Sequence, residues 1–335
     1  MDLALLKPRG CEEDLVISAS SNFLDSKLLF VTGKGGVGKT TVTAALAQLG
    51  ANLGKRVLIC EVDGKGDLAA LFEAAPTAFT EREVAPRIWA MSMDTEASLR
   101  EYLKLNLKIP LVGRIGPLAK AFDFVATAAP GVREILTVGK LCYEVRERHY
   151  DLVVVDSLAS GHIIGQLAAP QAINELVKVG LIRSQTDWML DILSDPQQSG
   201  LIAVVTPEEM PVVETLELVE RVRAETTVNI SAVVVNSLLP ELFTKHEEEI
   251  FEKLRSPDLQ MTISKRLGGD VNLLMEGARL AVSMRRSRAV HLERLEAELD
   301  PEIPVLLLPY LFTRIHGLRT TKQVAESLAA ELGYL

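Results

Sequence analysis

Two lysines share one glycine-rich stretch, Val31 to Thr41, "VTGKGGVGKTT". Gly33-Lys34-Gly35-Gly36-Val37-Gly38-Lys39-Thr40, with Thr41 after it, fits GxxxxGK[ST]. Glycines at these positions let successive backbone N–H groups turn inward on phosphate oxygens, and a helix starting at the end of the loop adds its positive pole. Lys39 is then the cation for the β- and γ-phosphates, and Thr40 the hydroxyl that ligates Mg²⁺. The spacing predicts a nucleoside triphosphate site. Lys34 is a surplus charge, too near the start of the loop to share the position of Lys39. Two readings of it stay open: a cation lent to a nucleotide on another subunit, or a lysine in solvent.

Two carboxylates fall where such a site needs them. Asp156 ends "DLVVVD", the C-terminal end of a core strand, suited to Mg²⁺ through its waters. Asp63 ends "RVLICEVD" and is placed to orient the attacking water. Either alone also reads as a turn aspartate.

Elements of a particular kind must hold these groups. Apolar runs rich in Val, Ile and Leu predict strands at Leu28–Thr32, Arg56–Val62, Ile88–Met93, Leu152–Asp156, Leu201–Thr206, Ile230–Asn236 and Ile303–Leu308. Runs apolar on both faces suit a mostly parallel sheet covered on both sides. Val42, Ala45, Leu46, Leu49 and Leu53 follow helical spacing, and Gly54 stops the helix. Strand and helix in alternation predict a doubly wound α/β fold. Three helical regions interrupt the alternation: Thr95–Leu141, Gln171–Gly200 (helices at Ala172–Val179 and Gln185–Leu193) and Pro240–Leu299. The expected organisation is an N-terminal extension over 1–26 and one P-loop domain over 27–335, with helical additions at about 95–141, 171–200 and 240–299.

The net charge of −9 argues against a broad basic surface for nucleic acid. Three scattered cysteines and five histidines give neither a disulfide framework nor a zinc spacing, so no zinc is expected. No stretch reaches the ~18–20 apolar residues of a membrane span. A cytoplasmic chain, at most peripheral to a membrane, is the expectation. Leu99, Tyr102, Leu103, Leu105, Leu107, Ile109, Leu111, Val112 and Ile115 form an apolar stretch that either receives a client helix or packs inside the helical layer. Arg285, Arg286 and Arg288 read as a solvated helix face paired with Glu293 and neighbouring acids. The C-terminal "TTKQVAESLAAELGYL" is weak as a membrane anchor.

The loop with its first lysine resembles the deviant Walker A group that contains ParA, MinD, nitrogenase iron protein and the ArsA ATPases. "DSLASGHIIGQL" (Asp156 to Leu167) is similar to switch II of the ArsA and guided-entry branch, where Gly161 would offer its N–H to the γ-phosphate. "DGKGDLAALF" (Asp63 to Phe72) resembles its switch I, with Gly64 and Lys65 as departures. "PGVREI" (Pro130 to Ile135), "TPEEMPVVET" (Thr206 to Thr215), "VVVNSLLP" (Val233 to Pro240) and "LLLPYLFTRIHGL" (Leu306 to Leu318) follow in the branch's order. The resemblance implies that Asn236 meets the adenine edge and that Pro309, Tyr310 and Leu311 line the adenine pocket. It implies ATP and Mg²⁺ as ligands, and a homodimer or a heterodimer with a paralogue in which Lys34 reaches the partner's phosphates. It further implies a hydrophobic client or membrane-protein partner. The zinc CxxC, the metalloid cysteines and the tandem duplication found in parts of the branch have no counterpart here. A positioning ATPase of the ParA or MinD type, a holdase with feeble turnover and, last, an arsenite-pump subunit are the alternatives.

Overall fold

Strands as apolar as these can persist only if both faces are covered, and the computed structural model shows how they are. It describes residues 23–63, 66–107, 131–241, 243–313 and 316–334. Eight strands form one sheet among the described residues: β1 (Leu28–Thr32), β2 (Val57–Glu61), β3 (Arg82–Ala85), β4 (Ile88–Ser92), β5 (Leu152–Asp156), β6 (Ser199–Val205), β7 (Ile230–Leu238) and β8 (Val305–Pro309). Their spatial order is β3-β4-β2-β5-β1-β6-β7-β8. Every neighbouring pair is parallel except β3 against β4.

After β1 the chain builds one half of the sheet, returns through β5, and builds the other half from β6. The order therefore reverses beside β1, and ligands of open α/β sheets bind at the carboxyl ends of strands at such a point. The phosphate-loop sequence leaves β1 at that end. In the five residues of β1, β2 and β5 every side chain is buried, as helices on both faces require.

On one face lie α1 (Lys39–Asn52), the short α2 (Asp67–Ala70) and the last helix, α11 (Leu318–Glu331). The other face carries α4 (Val132–Arg146), α5 (Ser160–Leu176), α6 (Leu181–Ser194) and α7 (Glu209–Glu225). Beyond these come α3 (Thr95–Leu107), α8 (Lys245–Leu254), α9 (Pro257–Leu267) and α10 (Asn272–Glu298). At the sheet edge, Leu307 of β8 donates its N–H to Glu331 of α11 at 2.9 Å. Val324, Ala325, Leu328 and Ala329 bury the apolar face of α11 within the chain.

The expected strands all form, with ends shifted by a residue or two. β3 was not anticipated: "REVA" is half charged, and it exists by pairing antiparallel along β4. The separate helix expected at Ala172–Val179 is instead the tail of α5, which runs on through Pro170 to Leu176. Proline at this depth removes one hydrogen bond without ending a helix that is packed on its neighbours. Leu53, placed in the buried stripe of α1, lies beyond the helix and is 41% exposed. The arginine cluster finds its acids elsewhere than Glu293. Arg286 pairs with Glu248 of α8, Arg288 with Glu208 at 3.1 Å, and two nitrogens of Arg285 are buried without a partner among the described residues. The N-terminal residues up to 22 with Cys11, Gly64 and Lys65, the 108–130 part of the first helical addition, Leu242, and Arg314 and Ile315 lie outside the described residues.

Candidate nucleotide site

The loop between β1 and α1 needs glycine for a steric reason. At Gly33 (φ +149°) a Cβ would stand 2.1 Å from the Val204 carbonyl oxygen of β6, backbone against backbone. At Gly38 (φ +95°) it would stand 2.3 Å from the amide nitrogen of Asn236. The loop is thus wedged between β6 and the end of β7 at Gly33 and Gly38, where only a residue without a side chain passes. Asn236 closes the contact by donating its side-chain N–H to the Val37 carbonyl at 2.8 Å. Lys39 leads α1 and donates to the Lys34 carbonyl at 3.3 Å, across the loop.

Register brings the acid. Asp156 pairs with Val31 across β1–β5 and with Glu61 across β2–β5, so it stands at the level where the loop begins. Thr40 Oγ1 donates to Asp156 Oδ2 at 2.7 Å, while Asp156 Oδ1 is buried without a partner among the described residues. Burial, above all, pushes the Asp156 carboxyl up to about 6, against the opposing pull of the Thr40 hydroxyl and the Lys39 charge. An orphaned buried carboxylate oxygen beside a threonine hydroxyl is a hard-oxygen donor set, the kind that suits Mg²⁺ held partly by waters and phosphate. Among the described residues no cluster of three His, Cys, Asp or Glu could cage a metal by itself, which is also how Mg²⁺ differs from zinc or calcium sites.

The segment after Asp156 is laced to the loop. Ser157 donates its N–H to Val31 O at 3.0 Å, Thr32 Oγ1 donates to Leu158 O at 2.8 Å, and the Ser160 N–H reaches Gly33 O at 3.2 Å. Gly161 follows in the exposed first turn of α5. Asp63 is exposed just past β2. Gly35 and Gly36 are exposed in the loop, Thr41 is half-buried in the first turn of α1, and Val37 is buried. On the far side, Tyr310 donates its N–H to Leu238 O at 2.9 Å, which sets Pro309, Tyr310 and Leu311 beside the end of β7 and Asn236. Tyr310 stands edge to face with Phe312 at 4.9 Å, both rings reaching solvent.

One residue escaped sequence reasoning, and two inside the family-like motifs were quoted there without a role of their own. Glu61 is buried and accepts from the N–H groups of Gly66 (2.8 Å) and Asp67 (3.1 Å), capping α2 from below. A carboxylate inside the apolar strand "VLICE" was the readable sign. Glu214 of α7 forms an ion pair with Lys34, and Ser160 Oγ donates to the other oxygen of the same carboxylate at 3.3 Å. Ser160 lies in "DSLASGHIIGQL" and Glu214 in "TPEEMPVVET", but nothing local in either motif marks the contact between them.

Away from the loop, α3, α4, the end of α5 and α6 enclose an apolar cavity of about 480 Å³. Leu99, Tyr102, Ile135, Leu136, Trp188 and Met189 line it. Lys140 at its floor is held by Glu101 (2.8 Å) and Glu144 (2.7 Å). Burial draws the Lys140 ammonium down, but the two carboxylates more than offset it and keep the charge. Side chains from Leu105 to Ile115 of the apolar stretch lie outside the described residues. No helix among the described residues is long and apolar enough to cross a membrane.

The family model described as anion-transporting ATPase (ArsA) matches residues 26–190 and 181–262, more than half of the chain. ATPase BagA of Mycobacterium tuberculosis is 34% identical over 225 residues, 64% of this chain and 66% of that protein. This chain thus spans just under two thirds of the mycobacterial relative's length. A putative arsenical pump-driving ATPase 2 of Aquifex aeolicus is 24% identical over 301 residues, 81% of this chain and 97% of its own. ATPase get3 of Schizosaccharomyces japonicus is 29% identical over 188 residues, 55% of each. With a glycine loop wedged at the switch point of a parallel sheet and a family match running through it, the chain belongs to the anion-transporting ATPase (ArsA) family.

Proposed function

We propose that the chain is a Mg²⁺-dependent ATP hydrolase in which two subunits close over ATP, so that closure and hydrolysis drive binding and release of a hydrophobic client or partner protein. The observation that carries the reading is the Thr40–Asp156 hydrogen bond at the end of the loop, with its buried, unpartnered carboxylate oxygen. Thr40 and Asp156 would hold Mg²⁺, the latter through water, and bound Mg²⁺ would neutralise charge on the phosphates. Lys39 and the N–H groups from Gly33 to Thr41 hold the triphosphate, Gly161 offers its N–H to the γ-phosphate, and Asp63 aligns the water. Asn236, Pro309, Tyr310 and Leu311 receive the base. Lys34 serves the neighbouring subunit, a second copy or a paralogue.

The cavity between α3, α4 and α6 supports a client: it is apolar, of ligand size, and two of its walls, α4 and α6, pack on α5, whose first residues belong to the nucleotide site. The relative named an arsenical pump-driving ATPase suggests a metalloid instead, but Cys60 and Cys142 are fully buried, with burial pushing the Cys60 thiol up to about 12. Thiols so raised are poor metal ligands. The working unit on this reading is one ATPase domain over 27–335 with its helical additions and the 1–26 extension, acting in the cytoplasm.

Two substitutions test it. Lys39→Ala should abolish tight ATP binding, read by calorimetry. Lys34→Ala should leave the single chain binding a non-hydrolysable analogue while turnover drops by about 10³-fold, the scale of a trans-acting cation. Unchanged turnover in Lys34→Ala, or full-speed hydrolysis by a strictly single chain, overturns the cross-subunit reading.

A further inference from the structure

Lys34 is occupied at home. Its ammonium is paired with Glu214 of α7, and the same carboxylate accepts the Ser160 hydroxyl at the start of α5. One acid thereby ties the phosphate loop to the two elements that frame the site. The side chains of Lys34 and Glu214 are 31% and 30% exposed, so the pair sits at the surface of the molecule, within reach of an approaching subunit. Ser160 is bound to the loop a second time through its N–H on Gly33 O. A lysine in contact with its own subunit's carboxylate is not available to a neighbour's triphosphate. The two uses of Lys34 exclude each other.

We propose that Glu214 is a positioning residue for ATP hydrolysis: it holds Lys34 within its own subunit until a second copy of this chain, carrying ATP, draws the lysine across. The inference rests on the reading that Lys34 acts between subunits. A triphosphate carries several negative charges against one on Glu214, so it wins the lysine once the subunits meet. Without nucleotide the approaching copy offers no replacement, and breaking the pair goes uncompensated. Glu214 therefore makes pairing conditional on ATP. A two-fold assembly opens two such ion pairs at once. Partly exposed pairs of this kind shift an equilibrium by about threefold each, which amounts to about tenfold in the pairing constant.

The test is sedimentation velocity on the full chain across a protein concentration series, with Mg²⁺ and a slowly hydrolysed ATP analogue. Glu214→Gln keeps the size of the side chain and removes its charge. It should pair at about tenfold lower protein concentration than the unsubstituted chain, and adding it to Lys34→Ala should change nothing further. In dilute, nucleotide-free protein, modification of Lys34 by an amine-reactive reagent, read by mass spectrometry, should rise at least twofold in Glu214→Gln. A purely structural glutamate would move neither readout. Equal or weaker pairing of Glu214→Gln overturns the role of Glu214, while a defective Lys34→Ala in the same series leaves the cross-subunit reading standing. Full turnover in Lys34→Ala, or an unsubstituted chain that stays single with the analogue, removes both.

Discussion

Asp156 bears two opposed demands. Its carboxyl titrates near 6 in the folded chain, against about 3.9 in an unfolded one. The folded state thus binds this proton more tightly, so stability falls as pH rises from about 4 to about 6, and the whole penalty is present above that window. A rise of this size is worth roughly 3 kcal/mol. Asp156→Asn should make the nucleotide-free chain more stable at pH 7.5 by up to that amount, and the two chains should converge near pH 4, as urea unfolding would read. A variant no more stable at pH 7.5 would show that the carboxylate is solvated in place. Turnover should be lost in the same variant, the common exchange of stability for function at a site. Lys39, Thr40 and Asp156 were legible in the sequence because a fixed spacing and a strand end define them. Glu214 stands in the motif "TPEEMPVVET", but its contact was not legible, since it arises only where α7 comes to lie beside a loop 180 positions earlier in the chain.

Among elements, α5 carries the least comfortable residue. Gln166 is 1% exposed, and both of its amide atoms lack a partner among the described residues. Each such group costs about 1–3 kcal/mol when left unmade, whereas a leucine of similar volume would gain from burial. Gln166→Leu should stabilise the chain by about 2 kcal/mol in denaturant titration; a gain below about 0.5 kcal/mol would mean that water already satisfies the amide. The fold was readable at this scale wherever burial was two-sided: apolar runs announced seven strands. It was unreadable where tertiary contact overrode local chemistry. β3 draws its hydrogen bonds from β4 rather than from any strand-like composition, and α5 continues through Pro170, which is buried against its neighbours.

Taken as a whole molecule, the chain sets its nucleotide loop at the carboxyl end of the sheet and its apolar cavity in the helical layer on one face, and α5 runs from one to the other. If the cavity holds the client, a charge in its wall should separate capture from catalysis. Leu136→Asp should weaken binding of an apolar fluorescent probe or a hydrophobic helical peptide at least fivefold, while ATP binding by the single chain stays as it was. Equal probe binding in the variant would remove the cavity from the client reading. This level was the least visible in sequence, because the apolar stretch beginning at Leu99 has the same composition whether it seals a core or lines a chamber.

The hydrogen bond from Leu307 to Glu331 has a bearing on how this chain can safely be shortened. Glu331 stands in the final helix, yet it occupies the bonding position that another polypeptide would otherwise seek on the outermost ribbon of the sheet. Chains cut before Leu318 should therefore recruit one another side by side and accumulate as insoluble material during expression, whereas cuts after Tyr334 should remain dispersed. The last fourteen-residue helix is, in that sense, a guard against self-templating as much as a piece of the core.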